Sequence, residues 1–478
     1  VLSFLNDLIW GKILVVVLVP IGLYFSIRSR FVQFRYFGQM LANLQDAFAK
    51  EEGHLSSFQA LALSVAGRVG GGNIAGVAVA ITLGGPGAIF WMWVIGIVGM
   101  ATSFFECMIA QVFKTAEPDG SYRGGPAYYM ERGLKQPWMA SIFSILLLVT
   151  FGFGFNAVQS YTVATSFQET FGLNPNITGF ALMVVLGIII FGGVKRIAEV
   201  AEYVVPFMAI GYFLLALFVI VTNLGQIPAV FTTIVQSAFG VKTAIAGGVG
   251  TTIMYGIKRG LFSNEAGLGS APNVAAIAYV KHPVEQGIVQ ALSVFIDTLI
   301  LCSCTAFVIL LSSVYEPGND ALGGVTLTQQ AMAEHIGWWG QAFITIALFL
   351  FAFTSIIYNY YLGENSLNFF SNENKTLFNV FRVLTLTLVI WGAVQDLGTV
   401  FGFADVTMGL LALVNLAALL LLSNVGFAVL DDYDLQIKNG QTPVFVGDRF
   451  ASLAIDPQAW VSEAIASSGL EAADPELS

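Results

Sequence analysis

The sequence predicts an all-α polytopic membrane protein: two inverted five-helix repeats behind one extra N-terminal helix. Three observations predict it. Hydrophobic residues make up 56% of the 478 and charged residues only 10%, where a soluble chain averages about 25% charged. Eleven apolar runs are each long enough to cross a bilayer, which takes about 20 residues. Two of them, 57–83 and 243–280, are unusually long and crowded with glycine, and each opens a group of five.

The runs fall at 8–27, 57–83, 87–113, 138–166, 176–194, 198–222, 243–280, 284–314, 341–363, 376–394 and 402–424. The first lacks a basic leader and a small-residue cleavage site, so it reads as a retained span rather than a signal peptide. Residues 36–50 read as an amphipathic helix at the interface, and 227–239 as a second. Basic residues test the count independently. With the N-terminus outside, the cytoplasmic loops and tail collect 15 of the 20 Lys and Arg, among them Arg28, Arg35, Lys114, Arg132, Arg196, Lys281, Arg382 and Arg449. The outer loops near 84–86, 167–175, 223–241, 315–340 and 395–401 carry none. This is the positive-inside asymmetry of a multi-pass protein of the cell (inner) membrane, with the C-terminus cytoplasmic.

Setting the first run aside leaves two groups of five. Five crossings is an odd number, so the groups lie in opposite orientations. Interrupted helices at matching positions of inverted halves point to a solute site between the halves. The boundaries are 1–56 for the extra helix and interfacial helix, 57–222 for the first repeat, 223–242 for an outer connector and 243–425 for the second repeat. Residues 426–478 form an acidic tail, with nine acids against Lys438 and Arg449. The membrane body is therefore close to neutral, and nothing points to nucleic acid.

The first interrupted run carries Arg68-Val69-Gly70-Gly71-Gly72-Asn73-Ile74-Ala75-Gly76. Glycine costs a helix roughly 1 kcal/mol relative to alanine, and three in succession invite unwinding. Unwound backbone at membrane depth must find partners in protein or along a wet cavity. Bare glycine backbone lets a solute approach, N–H groups at the start of the second half-helix suit a carboxylate, and carbonyls ending the first suit a cation. Asn73 offers both a donor and an acceptor. Tight helix packing through small residues is the competing reading.

The second interrupted run holds Lys258-Arg259-Gly260-Leu261-Phe262-Ser263-Asn264-Glu265. Asn264 is a candidate ligand. Glu265 is a functional candidate by its depth, or a carboxylate neutralised by Lys258 and Arg259. Thr354 and Ser355 are hard oxygen donors which, with main-chain carbonyls near Ala66 and Val69, would cage a sodium ion; alternatively they bond back to their own helix. Gln159 either contacts solute or bonds a neighbouring helix. Asp297 and Glu106 are buried acids whose roles the sequence does not separate, and a proton relay through Asp297 stays open.

Several classes are excluded. There is no Walker motif, no nucleophile–base grouping, no metal-spaced cluster and no strand–turn–helix context for a dinucleotide fingerprint. Cys107, Cys302 and Cys304 read as buried thiols, and the three histidines lie near the ends of spans. The chain therefore reads as neither an enzyme nor a holder of an organic cofactor.

The strings Gly72-Asn73-Ile74-Ala75-Gly76-Val77-Ala78, Gly84-Gly85-Pro86-Gly87-Ala88-Ile89-Phe90-Trp91-Met92-Trp93, Gly124-Gly125-Pro126, Arg259-Gly260-Leu261-Phe262-Ser263-Asn264-Glu265-Ala266-Gly267 and Phe351-Ala352-Phe353-Thr354-Ser355 resemble the alanine/glycine:cation symporter family, the sodium:alanine symporter type. The resemblance runs from about residue 10 to 425. It implies a LeuT-type repeat and alternating-access symport of a small neutral amino acid with Na+ as the coupling ion. It also implies substrate contacts at Gly71, Gly72, Asn73, Ile74, Ala75, Gly76, Gln159, Phe262, Asn264, Tyr358 and Asn359, with the cation between Ala66, Val69, Thr354 and Ser355. Tyr358-Asn359-Tyr360 stands where some members carry tryptophan, which opens the side-chain pocket and makes glutamine an alternative substrate. Proton coupling and, more remotely, an ion channel or a subunit of an energy-transducing complex are the competing readings. Membrane lipid is an expected partner; oligomeric state is not legible.

Overall fold

A computed structural model describes residues 2–46, 56–117, 120–240, 248–317, 323–371 and 374–460. The chain is built almost wholly from helices, as its long apolar runs require. Those that frame the site are, in order, α1 (Leu2–Arg28), α2 (Phe37–Asp46), α3 (Ser57–Arg68), α4 (Gly72–Gly84), α5 (Gly87–Val112), α6 (Pro137–Phe171), α7 (Pro175–Ile190), α8 (Gly193–Thr222) and α9 (Ile227–Ala238). There follow α10 (Gly248–Asn264), α11 (Ala271–Ala275), α12 (Pro283–Leu310), α13 (Val325–Ile336), α14 (Trp338–Ser371), α15 (Lys375–Ala393), α16 (Leu397–Leu421) and α17 (Ser423–Lys438). A two-stranded antiparallel ribbon pairs Thr115–Ala116 with Tyr122–Arg123.

Among the described residues eight helices are long and apolar enough to span, and nine when the bent pair α3 and α4 counts as one. The other two predicted crossings fall on shorter elements: 176–194 on the 16-residue α7, and 243–280 on α10 and α11, with residues 241–247 outside the described part. Of the predicted 227–239, Ile227–Ala238 form the short helix α9. The predicted interfacial helix over 36–50 is described as far as Asp46.

Local chemistry sets the helix ends. Ser56 and Gln59 form a reciprocal capping box at the start of α3, each 3.1 Å bond satisfying an orphan N–H. Asn174 before Pro175, Asn374 and Asp396 cap α7, α15 and α16 in the same way. Large apolar side chains left exposed, such as Phe207, Tyr203, Trp339 and Phe180, face the surface that lipid covers in a membrane protein.

The two interrupted runs meet inside. Helices α3, α4, α5, α10 and α12 pack together, and α6, α14 and α15 pack beside them. The runs break differently. The first bends by 49° between Arg68 and Gly72, then makes a wide π-type turn over Gly72–Gly76. The glycine-rich part of the second, in contrast, is unbroken helix: an added Cβ on Gly256 or Gly260 would strike Ala88, Trp91 or Ile95 of α5, so these glycines serve close packing. Its break lies later, at Glu265–Ser270, where Glu265 (φ 56), Gly267 (φ 92) and Gly269 (φ 81) turn left-handed.

Residues 423–460 do not trail away from the body. Phe427 packs on Phe105 of α5 at 4.9 Å, Arg35 pairs with Asp434 at 2.5 Å, and the Phe445 N–H donates to the Lys281 carbonyl at 2.9 Å. Lys114 is buried, its ammonium 3.9 Å and 4.2 Å from the Tyr122 and Trp460 ring centres.

Candidate functional site: two breaks, differently capped

At the first break the helix ends at Arg68, and Val69 is extended (φ −80, ψ 91). The N–H groups that follow are already capped, by neutral side-chain amides. Asn73 Oδ1 accepts from Gly70 N–H at 2.9 Å and Gln159 Oε1 from Gly71 N–H at 2.8 Å. Nδ2 of Asn73 donates to Asp297 Oδ1 at 2.6 Å, and the Asn73 carbonyl accepts from Thr305 at 2.7 Å. Asp297 also accepts from Ser263 and Thr298, each at 2.8 Å. One carboxylate on α12 thus ties the first break to α10.

The cation candidates separate. Ser355 Oγ lies 3.1 Å from the Ala66 carbonyl and 3.3 Å from that of Gly67, and donates to Phe351 O at 2.9 Å in its own helix. Thr354 Oγ1 instead bonds back to the Leu350 and Phe351 carbonyls at 3.1 and 3.0 Å. Its other neighbour is Met208 Sδ at 3.9 Å. The carbonyl oxygens of Ala66 and Gly67 with the Ser355 hydroxyl form a hard-oxygen cluster of the kind an alkali cation takes. A Cβ on Gly67 would overlap the Tyr358 ring, and one on Gly70 the Ser355 hydroxyl, so glycine is what lets α14 approach this backbone.

Phe262 roofs the break. An added Cβ on Gly72 would lie 3.0 Å from its ring, and the ring meets Phe155 at 4.6 Å and Phe401 at 5.4 Å. Asn264 Oδ1 caps Ala266 N–H at 3.0 Å, while its Nδ2 is buried without a partner. Asn359 donates to Asn156 Oδ1 at 3.0 Å and leaves its own Oδ1 buried and unpaired. Glu265 accepts from Ser270 at 2.6 Å and Tyr358 at 3.4 Å. It is not neutralised by Lys258 or Arg259, because both pair with Asp405, at 2.6 and 2.5 Å. Ile74, Ala75 and Gly76 are buried in the turn itself, Thr328 donating to the Ile74 carbonyl at 3.3 Å.

The second break is capped by a charge. Glu106 accepts from Gly267 N–H at 3.1 Å, Gly269 N–H at 3.2 Å and Asn415 Nδ2 at 3.0 Å. Arg68, 2% exposed, sits between the breaks and donates to Gln290 O at 3.1 Å, Ser103 Oγ at 2.8 Å and Ser293 Oγ. Sequence reasoning missed Ser263, Thr305, Asn156 and Asp405 as partners. For Asp405 a signal existed: an acid inside an apolar run requires a buried cation elsewhere.

The arrangement is a pair of helix interruptions braced by separate carboxylates. The sequence pattern described as "Sodium:alanine symporter family" matches residues 1–447. The chain belongs to the sodium:alanine symporter family. The match passes the limit at about 425 that the motifs alone suggested and takes in α17. The "Probable sodium/glutamine symporter GlnT" of Bacillus subtilis (strain 168) is 47% identical over 94% of this chain and 93% of its own. The "Amino-acid carrier protein AlsT" of the same strain is 46% identical over 96% and 97%. Among solved structures, MhsT in complex with L-phenylalanine aligns with TM-score 0.59 at 14% identity, covering 80% of this chain and 93% of that one. The fold is therefore LeuT-type, and the family makes the chain a membrane transporter rather than an enzyme.

Proposed function

We propose that the chain symports a small neutral amino acid with Na+ by alternating access, with the N-terminus outside and the C-terminus cytoplasmic. The observation that carries this reading is the pair of neutral caps on Gly70 and Gly71. A substrate carboxylate makes charge-assisted hydrogen bonds roughly twice as strong as neutral ones, so it can displace the amides of Asn73 and Gln159. The displaced amides then have donors and acceptors to spare for the substrate's amine. Ile74, Ala75, Gly76 and Phe262 enclose the ligand. Na+ takes the Ala66 and Gly67 carbonyls with Ser355 Oγ, joined by Val69 and Thr354 after a rotamer change.

Substrate and ion then hold together the contact of α3/α4 with α14 and keep Phe262 over the site. The Arg259–Asp405 pair lies beyond that roof, the guanidinium 4.9 Å from the Phe401 ring centre and 5.5 Å from that of Phe262. It is the outer gate in this reading.

Glutamine is the second candidate substrate. Asn359 Oδ1, buried and unpaired, offers a carboxamide one acceptor, and a relative at 47% identity carries glutamine in its name. Proteoliposome uptake of alanine, glycine and glutamine, driven separately by a sodium gradient and by a pH gradient in sodium-free buffer, tests the reading. Saturable uptake under the sodium gradient alone is the expected result. Uptake under the pH gradient alone would transfer coupling to Asp297 or Glu265.

A further inference from the structure

Helix α1 stands outside the two five-helix groups, yet its polar side chains reach the outer gate. Trp10, fully buried, donates from Nε1 to the main-chain carbonyl of Asp405 at 3.0 Å. Asn6 Nδ2 donates to the Gly402 carbonyl, one turn earlier on α16, at 3.1 Å. The Asn6 Oδ1 faces the other way and accepts from Lys258 Nζ of α10 at 3.5 Å. Gly409 notches α16 where Ile9 and Trp10 cross it, leaving no room for a Cβ. Helix α1 is thus bolted to α16 by two hydrogen bonds and a packing notch, and α10 meets this joint surface with Lys258 and Arg259.

Two cations on α10 share one carboxylate on α16. Arg259 Nη2 takes both Asp405 oxygens, at 2.6 and 2.5 Å, while its Nε and Nη1 are buried without partners. The closed gate is therefore incompletely satisfied from α16 alone, and Asn6 supplies the second acceptor for Lys258. A buried charge that loses a partner is costly, so the placement of Asp405 and the availability of Asn6 both set the closed-state energy.

We propose that the extra N-terminal helix governs how readily the outer gate opens, Asn6 and Trp10 acting as positioning residues for Lys258 and Asp405. This rests on the alternating-access reading. Weakening the helix's grip raises the outward-open population without touching the substrate contacts.

Trp10→Phe deletes the indole N–H and keeps an aromatic ring; Asn6→Leu removes both amide contacts and serves if the first variant folds poorly. In full-length protein with sodium, either variant should speed amide hydrogen exchange in 258–264 and 399–405 by about fivefold or more, and by clearly more than in α6 and α14 away from this joint. Asp405→Asn should act in the same direction. Combining Trp10→Phe with Asp405→Asn should add nothing, because Trp10 acts through the placement of the Asp405 carboxylate that the second substitution neutralises. Additive effects, or unchanged exchange in both segments, would overturn the proposal. Absence of sodium-driven uptake by the native protein would strike the transport reading instead and leave the exchange measurement to be judged by itself.

Discussion

The Gly71 N–H points at Gln159 Oε1, 2.8 Å away, so a neutral acceptor holds the N–H that the proposed reading assigns to a substrate carboxylate. Gln159→Glu, nearly isosteric, places a charged acceptor on the same N–H and competes with ligand. Amino-acid affinity should fall by about tenfold or more while the fold is kept, since the new bond is charge-assisted. Equilibrium binding together with a thermal melt checks both halves.

The opposite substitution tests the opposite break. Glu106 holds two N–H groups of a segment with left-handed glycines at 267 and 269. Glu106→Gln keeps one acceptor and turns the other position into a donor facing an N–H. The expected loss is about 1–3 kcal/mol of stability, the cost of unsatisfied buried polar groups. Denaturation of the purified protein reads it, and sodium affinity should change far less than stability.

Ser355 and Thr354 are equal candidates in the sequence, but only Ser355 meets the Ala66 carbonyl. Ser355→Ala should raise the sodium concentration for half-maximal uptake by about tenfold or more, at least the scale of losing an outer partner of a metal ligand. Thr354→Ala should raise it less. A larger effect from Thr354 would move the ion toward α8 and Met208.

The fold class was legible because burial in lipid forces long apolar runs. The first break was legible because Gly70-Gly71-Gly72 beside a polar Asn73 is hard to reconcile with continuous helix. The second break was only half legible. Gly256 and Gly260 signal packing with the same letter that Gly267 and Gly269 use for left-handed turns, and only the neighbouring helix distinguishes them. Pairings such as Asn73–Asp297 and Arg259–Asp405 join residues 224 and 146 positions apart, and separations of that kind leave no periodic trace in a single sequence. The packing of α17 left no signal either, because its burial depends on aromatic contacts to other segments, not on an apolar run.

That tail carries a pH dependence. His282 is fully buried, with Asp432 at 3.3 Å and Tyr433 and Phe445 around it. Burial holds its pKa below the ordinary 6.5, against the opposing pull of Asp432. The unfolded or undocked state therefore takes up the proton first, so this contribution to stability is complete above 6.5 and declines as pH falls below it. Protease sensitivity of residues 439–460 should rise as pH falls from about 6.5 to about 5, the lower part of the range where histidine changes charge. His282→Asn, which keeps an acceptor for the Val284 N–H, should flatten the dependence.

In the proposed cycle one interrupted helix holds amino acid and sodium together. Titration of purified protein with alanine or glutamine, with and without Na+, measures this coupling. Saturable binding at one site, strengthened by sodium and weakened in both Ser355→Ala and Asn73→Ala, is the expected result. Binding that is indifferent to sodium in the native protein and in both variants would contradict it.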